Sequence, residues 1–298
     1  MRKFLATALL AATLIVTPTF AQEASQSGKS TEDAPGAPII VEGSREEVRN
    51  QIRNLLEPSG GQLSSFGRGF CPIIIGFDAE YSAIIDGYIR KNAKAVGLKP
   101  LEKGCSPTAV VIFIDEPQKL VQGLRKKMPG LFETLYLPEI RRITDEPRST
   151  YSWRATGAVG RDGELPTSGS FGGEADGVPV IKAFSSSRLY SPTKYEIFNS
   201  YLIMDITRTP GMSLRQIADF ATMNLLLDLE EDAVSKAPEG SILKLFETED
   251  PSKVSPGFSV FDRGLLKGLY EAENKTRKAA QQSSAIAREM TRAEEDNR

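Results

Sequence analysis

The sequence predicts an α+β fold: a single domain with a mixed sheet and helices mainly on one face, followed by a charged helical tail. Three patterns carry that expectation. Residues 108–114 (Thr-Ala-Val-Val-Ile-Phe-Ile) form an uninterrupted, largely β-branched run of the kind found in a central strand. Tyr81, Ile84, Ile85, Tyr88, Ile89 and Val96 recur at helical spacing between Asp78 and Gly97, the clearest amphipathic helix in the chain. From 148 to 207 the pattern turns extended, and after Pro210-Gly211 it becomes helical again.

Taken in order, residues 38–42 read as a short strand. Ser44 then caps a helix with Glu46 and Glu47 in its first turn, Val48, Ile52, Leu55 and Leu56 on one face, and a stop before Pro58. Residues 71–76 form an apolar run that suits an extended buried segment ahead of the Tyr81 helix. Glu116-Pro117 opens a helix with Leu120, Val121 and Leu124 on one face. Extended segments are expected at 150–159, 180–184 and 196–206, and the glycine-rich stretch 157–177 reads as a long exposed loop. Ser213-Leu214-Arg215-Gln216 is a capping box, and the helix it opens is apolar nearly all round. A turn at 241–246 and a last packed helix at about 259–270 follow, and the tail 271–298 is expected to project from the body. The strand at 201–205 should pair beside 109–114, with the helices starting at Ala79 and Ser213 on the same side of the sheet. Asp219 should point to the cleft opposite the 241–246 turn.

The N-terminus reads as a secretory signal. Arg2 and Lys3 precede an uncharged apolar stretch at 4–16, and Thr19 and Ala21 occupy the two positions before the cut that must be small. That stretch falls short of the about 20 residues an anchor needs. The organisation expected is a signal peptide at 1–21, a polar leader at 22–37, the α+β domain at 38–270 and the tail at 271–298, with no membrane span in the mature chain and a periplasmic or secreted location after cleavage near Ala21. Two cysteines in an exported protein, Cys71 and Cys105, are most simply one disulfide, because no Cys-x-x-Cys spacing is present to tune a thiolate. The bridge would staple the segment before the Tyr81 helix to the lead-in of the strand after it.

Composition excludes more chemistry than it suggests. The chain has 37 basic and 39 acidic residues and no histidine. Nucleic acid is therefore not an expected partner. Ser-His-Asp and Cys-His sites, ordinary zinc hydrolase sites and imidazole acid–base chemistry are absent. Carboxylate pairs, a Ser–Lys dyad or an oxygen-ligand cation site remain. Ser185-Ser186-Ser187 with Lys182 or Lys194 lacks a Ser-x-x-Lys spacing, and a serine-rich hairpin end explains it as well. Glu230-Glu231-Asp232 reads as a solvated charge run rather than a cation loop. Trp153, the only tryptophan, reads as packing before sugar stacking. Asn274-Lys275-Thr276 matches a glycosylation sequon that needs a eukaryotic host.

One stretch of about 75 residues carries a family resemblance. A strand at 201–205 and the capped helix with Ile217-Ala218-Asp219-Phe220-Ala221-Thr222-Met223 come first. The tight Ser241-Ile242-Leu243 turn follows, then Phe258-Ser259-Val260-Phe261-Asp262 with Leu265-Leu266 and Leu269-Tyr270. This order resembles the C-terminal half of metzincin-type (zincin-fold) peptidases and their inactive exported relatives. It is also similar to a group of uncharacterised exported bacterial proteins that keep the Ala-Asp-aromatic-Ala-x-Met helix and the Asp…Leu-Tyr helix. On the motif His-Glu-x-x-His-x-x-Gly-x-x-His, the first ligand position holds Ala218, the base Asp219, the second ligand Thr222, the glycine Leu225 and the third ligand Asp228. Ile242 or Leu243 stands near the methionine of the turn. The resemblance thus implies a zincin-like scaffold without its metal site, no cofactor, and a role in binding an unidentified protein or envelope component. Read from the residues alone, Asp219 forms an i,i+4 pair with Arg215, and Asp228 is a carboxylate on an apolar face that needs a partner. A histidine-free hydrolase using carboxylates or a Ser–Lys pair, and an assembly protein docking through its tail, are the alternatives.

Overall fold

The computed structural model describes residues 45–170, 175–181, 190–271 and 275–295. The signal segment, the leader and the expected strand at 38–42 lie outside them, as do Lys182, Ser185, Ser186, Ser187 and Asn274. The chain begins with α1 (Arg45–Leu55), the two-residue strands β1 (Pro58–Ser59) and β2 (Gln62–Leu63), β3 (Pro72–Ile75) and α2 (Ala79–Ala95). It continues through β4 (Ala109–Ile114), α3 (Pro117–Lys127), α4 (Leu137–Asp145), β5 (Thr150–Gly160), β6 (Thr167–Ser170) and β7 (Ala175–Val180). Then come β8 (Thr193–Asp205), α5 (Leu214–Leu226), the single turn α6 (Ala233–Lys236), α7 (Val260–Glu271) and α8 (Ala279–Glu295).

The main sheet is mixed, in the order β3-β4-β8-β5, with β5 antiparallel to β8 and the other pairs parallel. As expected, β8 lies beside β4, with Val111 opposite Leu202 and Ile112 opposite Ile203. Alternation along these strands divides the sheet into two apolar faces. Ala109, Val111, Phe113, Leu202 and Met204 join the larger core with Ile85 and Ile89 of α2 and Ile217 and Ala221 of α5. The two helices therefore pack on the same side. On the other face Tyr151, Trp153 and Ile203 meet Val121 of α3, Phe132 of the turn between α3 and α4, and Ile140 of α4 in a smaller second core. Helix α4 is not predicted from the sequence. Its Pro138 looks like a breaker but sits in the first turn, where the missing N–H costs nothing.

Local chemistry sets the ends of the helices. Asp78 accepts from Glu80 N at 2.8 Å to start α2. At α5, Ser213 Oγ accepts from Gln216 N at 3.1 Å and Gln216 Oε1 accepts from Ser213 N at 3.0 Å, the capping box read from the sequence. The Cys71–Cys105 disulfide is present, with Cα atoms 6.2 Å apart, and joins the lead-ins of β3 and β4.

Three expectations need correction. The 71–76 run is not buried throughout: β3 is the sheet's edge, and Ile73 and Ile75 are exposed on it. The 157–177 stretch is largely strand, because β5 continues to Gly160 and β6 pairs with β7. Of the strand expected at 180–184, residues 182–184 lie outside the described residues, and β7 ends at Val180. Glycine there marks close approach rather than looseness, since a Cβ at Gly157 would stand 2.5 Å from the Phe198 ring.

The third correction concerns the tail, which does not project. Ala285, Ile286, Ala287 and Met290 are buried as α8 packs on α1 and α7. The stripe is narrow and built partly of alanine, so its apolar signal is faint beside the charges around it. Contact is close because α7 offers glycine: a Cβ at Gly268 would come 2.6 Å from Ile286 Cγ2. Gly268→Leu is accordingly expected to cost about 1–3 kcal/mol by overpacking. Limited proteolysis should then cut near residue 275 faster than in the wild type, whereas an unchanged cleavage rate would contradict this packing.

Candidate functional site

The described cleft richest in chemistry opens where the end of α1, β5, α4 and the segment after α5 meet, with a volume of about 320 Å³. The chain is drawn together there by backbone pairing: Glu57 N donates to Asp228 O at 2.9 Å and Glu230 N to Leu55 O at 2.9 Å. Ser59, Ser152 and Thr156 line it with hydroxyls, and Tyr136 and Tyr195 supply rings. Tyr136 stands at the mouth with 78 % of its surface exposed. Arg142 and Arg148 also line the cleft, both paired with Glu231, Arg148 at 3.4 Å.

Arg154 sits deepest. It is 6 % exposed, on the β5 face that turns toward the larger core, where a charged group is costly. Its Nη2 donates to Asn224 O near the end of α5, where helix carbonyls welcome a cation. Its Nη1 lies 4.0 Å from Asp228 Oδ1, and its Nε has no hydrogen-bond partner among the described residues. Burial pulls the guanidinium below its ordinary range, with Asp228 and Glu57 opposing. Asp228 Oδ2 accepts from Ser59 Oγ at 3.0 Å and Ser64 Oγ at 2.9 Å, and Ser59 Oγ is also 3.2 Å from Thr156 Oγ1. Asp228 thus has the partner that the sequence demanded.

Glu57 is the titratable group of the cleft. Burial first, then the charges of Asp228, Glu139 and Glu230, push its carboxyl up to about 7. The group therefore changes charge at neutral pH and can hold or release a proton there. Because its folded value is raised above the ordinary 4.5, the folded state binds the extra proton. Its contribution opposes folding progressively as pH rises from about 4.5 to about 7, and is absent below that window. Glu57→Gln should remove this dependence. Urea melts are expected to show the variant gaining stability relative to wild type between pH 5 and pH 8; parallel pH curves would contradict the placement of Glu57.

The positions taken from the metzincin motif do not converge. Ala218, Asp219 and Thr222 are fully buried on α5, and Asp219 and Thr222 both bond Asn92 of α2. Asp219 Oδ1 accepts from Asn92 Nδ2 at 2.7 Å, and its Oδ2 accepts from Arg215 Nε at 2.8 Å and Phe258 N at 2.9 Å. It therefore does not face a cleft opposite the 241–246 turn. That turn is held instead by Asp262, which accepts from Ser241 Oγ at 2.6 Å and Ile242 N at 2.9 Å. Of the four positions only Asp228 lines the cleft. Among the described residues no group of three or more Asp, Glu, Cys or His side chains could hold a metal ion.

Other sequence candidates are placed as follows. Trp153 touches the cleft, but its ring is stacked between Phe132 and Tyr201, with centroids 4.9 Å and 5.0 Å away. Glu231 pairs with Arg142 and Arg148 and Asp232 with Lys236 at 2.7 Å, so two of the three acids of the 230–232 run are ion-paired. Sequence reasoning missed Glu57 and Arg154. The one signal for Arg154 was its phase: in β5 it alternates with Tyr151 and Trp153 and must enter the opposite core. No helix among the described residues is long and apolar enough to cross a membrane. Comparison with protein-family models, curated proteins and solved structures gives no match to this chain.

Proposed function

We propose that this is an exported, non-catalytic binding protein of the periplasm or cell envelope, with the Arg154–Asp228–Glu57 cleft as its ligand seat. The observation that carries the proposal is Arg154, a buried guanidinium at the bottom of an open cleft whose nearest carboxylate is 4.0 Å away. Such a group favours a ligand that brings charge-assisted hydrogen bonds of its own. The hydroxyls of Ser59, Ser152 and Thr156 and the exposed Tyr136 suit a polar ligand such as a cell-wall fragment of sugar and short peptide. Export rests on the signal-like N-terminus, and the disulfide fits an oxidising compartment. The zincin-like relationship belongs to the same proposal. It is supported by the order of capped helix, tight turn and Asp-containing helix, and by Phe246 of the turn packing on Phe220 of α5 at 4.9 Å.

Equilibrium dialysis of the mature chain against a muropeptide digest, with both chambers read by mass spectrometry, tests the proposal. Retention of a fragment at unchanged mass is the expected result, and no retention would refute it. A second reading, a carboxylate hydrolase, is favoured by Glu57 near neutrality beside Asp228. Addition of water to a fragment during the dialysis would decide for it. Glu230, the other carboxyl raised by burial in this region, does not line the cleft, and so a pair of raised acids is not available there. The third alternative, docking through the tail, loses its apolar surface, because the apolar stripe of α8 is already covered by α1 and α7.

A further inference from the structure

Tyr195 of β8 turns to the cleft, so its neighbours Lys194 and Glu196 lie on the opposite face of the β5–β8 ribbon. Glu196 is 3 % exposed and more than compensated. Lys194 Nζ is 3.0 Å from its Oε1 and Arg68 Nε is 3.4 Å from its Oε2. Lys275 completes the group. Ser191 N donates to Thr276 O at 2.9 Å, which brings residues 275 and 276 to the start of β8, and Lys275 Nζ lies 5.6 Å from the Tyr270 ring centroid. Burial, and then the charge of Lys194, hold the Lys275 ammonium below its ordinary range while Glu196 opposes them.

Arg68 and Lys194 thus flank one carboxylate, and the Ser191–Thr276 contact brings Lys275 to the same end of β8, an excess of two positive charges over Glu196 in a half-sheltered place. Their donors are not used up. Lys275 Nζ and Arg68 Nη1 have no hydrogen-bond acceptor among the described residues, while Arg68 Nη2 donates to Gly163 O. Gly163, at φ +93°, closes one side: a Cβ there would be 3.8 Å from Arg68 and from Glu196 and 3.9 Å from Lys194. The Arg68 side chain is 50 % exposed, so the group is open to solvent. Two further arginines, Arg161 and Arg277, lie over the Tyr190 ring at 5.8 Å and 5.3 Å from its centroid.

We infer that Arg68, Lys194 and Lys275 form a binding site for a phosphate group. Two residual positive charges match a phosphate dianion, and a guanidinium fork with two ammonium groups supplies donors to its oxygens. Glu196 serves to hold the cations in place rather than to neutralise them. Free phosphate and a phosphorylated lipid headgroup present the same chemistry, and two arms of one experiment separate them.

The mature chain is melted and titrated calorimetrically with inorganic phosphate, with sodium chloride at matched ionic strength as reference. In parallel it is sedimented with phosphatidylcholine vesicles with and without phosphatidic acid. The expected result is a saturable rise in melting temperature in phosphate over chloride, with affinity reduced about tenfold in Lys275→Gln, the loss of one charge-assisted contact. Sedimentation only with phosphatidic acid, competed by inorganic phosphate, would assign the headgroup as source; a rise in phosphate without sedimentation would assign the free ion. Arg68→Gln, at a half-exposed position, is the second variant should Lys275→Gln fail to fold, and the same loss is expected. No effect of phosphate beyond chloride together with no sedimentation would overturn the site, as would undiminished binding in a folded variant.

Discussion

Asp219→Ala is expected to cost about 2–6 kcal/mol of folding stability, because two buried donors lose their acceptor at about 1–3 kcal/mol each. Asp219 is fully buried and ties three parts of the chain together: Arg215 on its own helix, Asn92 on α2, and the backbone N–H of Phe258 ahead of α7. Alanine leaves the Asn92 amide without its closer acceptor and the Phe258 N–H with none, each a buried polar group stripped of a partner. Arg215, whose side chain is 41 % exposed, can return to water and contributes least to the loss. Asp219→Asn keeps an acceptor oxygen and should lose less. Urea denaturation of the two variants measures the difference; a loss under about 1 kcal/mol for the alanine variant would show that the node is ornamental.

Opening the disulfide is the second large effect. Cys71 and Cys105 are 34 residues apart, and closing a loop of that length restricts the unfolded chain by about 3–4 kcal/mol. The pair also pins the edge strand β3, whose neighbour on one side only is β4. A Cys71→Ala, Cys105→Ala chain should therefore melt lower by on the order of 10 °C. Addition of reductant should lower the wild type toward the variant and leave the variant unchanged. Coincident melts of the oxidised wild type and the variant would contradict this role.

Local signals carried much of the fold. The β-branched run of β4, the capping box of α5 and the apolar face of α2 are each written within a few consecutive residues, and all three elements stand where those residues predict. What the sequence hid depends on partners distant in the chain. Asp219 was legible as half of a pair with Arg215, because an i,i+4 contact is local; Asn92 and Phe258 are not. The α8 stripe was hidden because its complement is a pair of glycines on α7, Gly264 and Gly268, which add no apolar signal of their own. The cleft was legible only through Asp228, a carboxylate on an apolar helix end that had to find a partner. Glu57 was one more surface-type acid before Pro58, and its weakened acidity arises from burial first and then from Asp228, Glu139 and Glu230, all brought about by folding.

The cleft as a ligand seat is tested most directly by Trp153, the chain's single tryptophan, which lines it. Its indole N–H donates to Leu131 O at 2.9 Å, so its emission reports a fixed position rather than a wandering side chain. Titrating the mature chain with the muropeptide digest should give a saturable change in Trp153 emission. Tyr136→Ala, which removes an exposed ring from the mouth of the cleft without disturbing a buried contact, should shift the midpoint to higher concentration. A flat titration in the wild type, or the same midpoint in both chains, would contradict the seat.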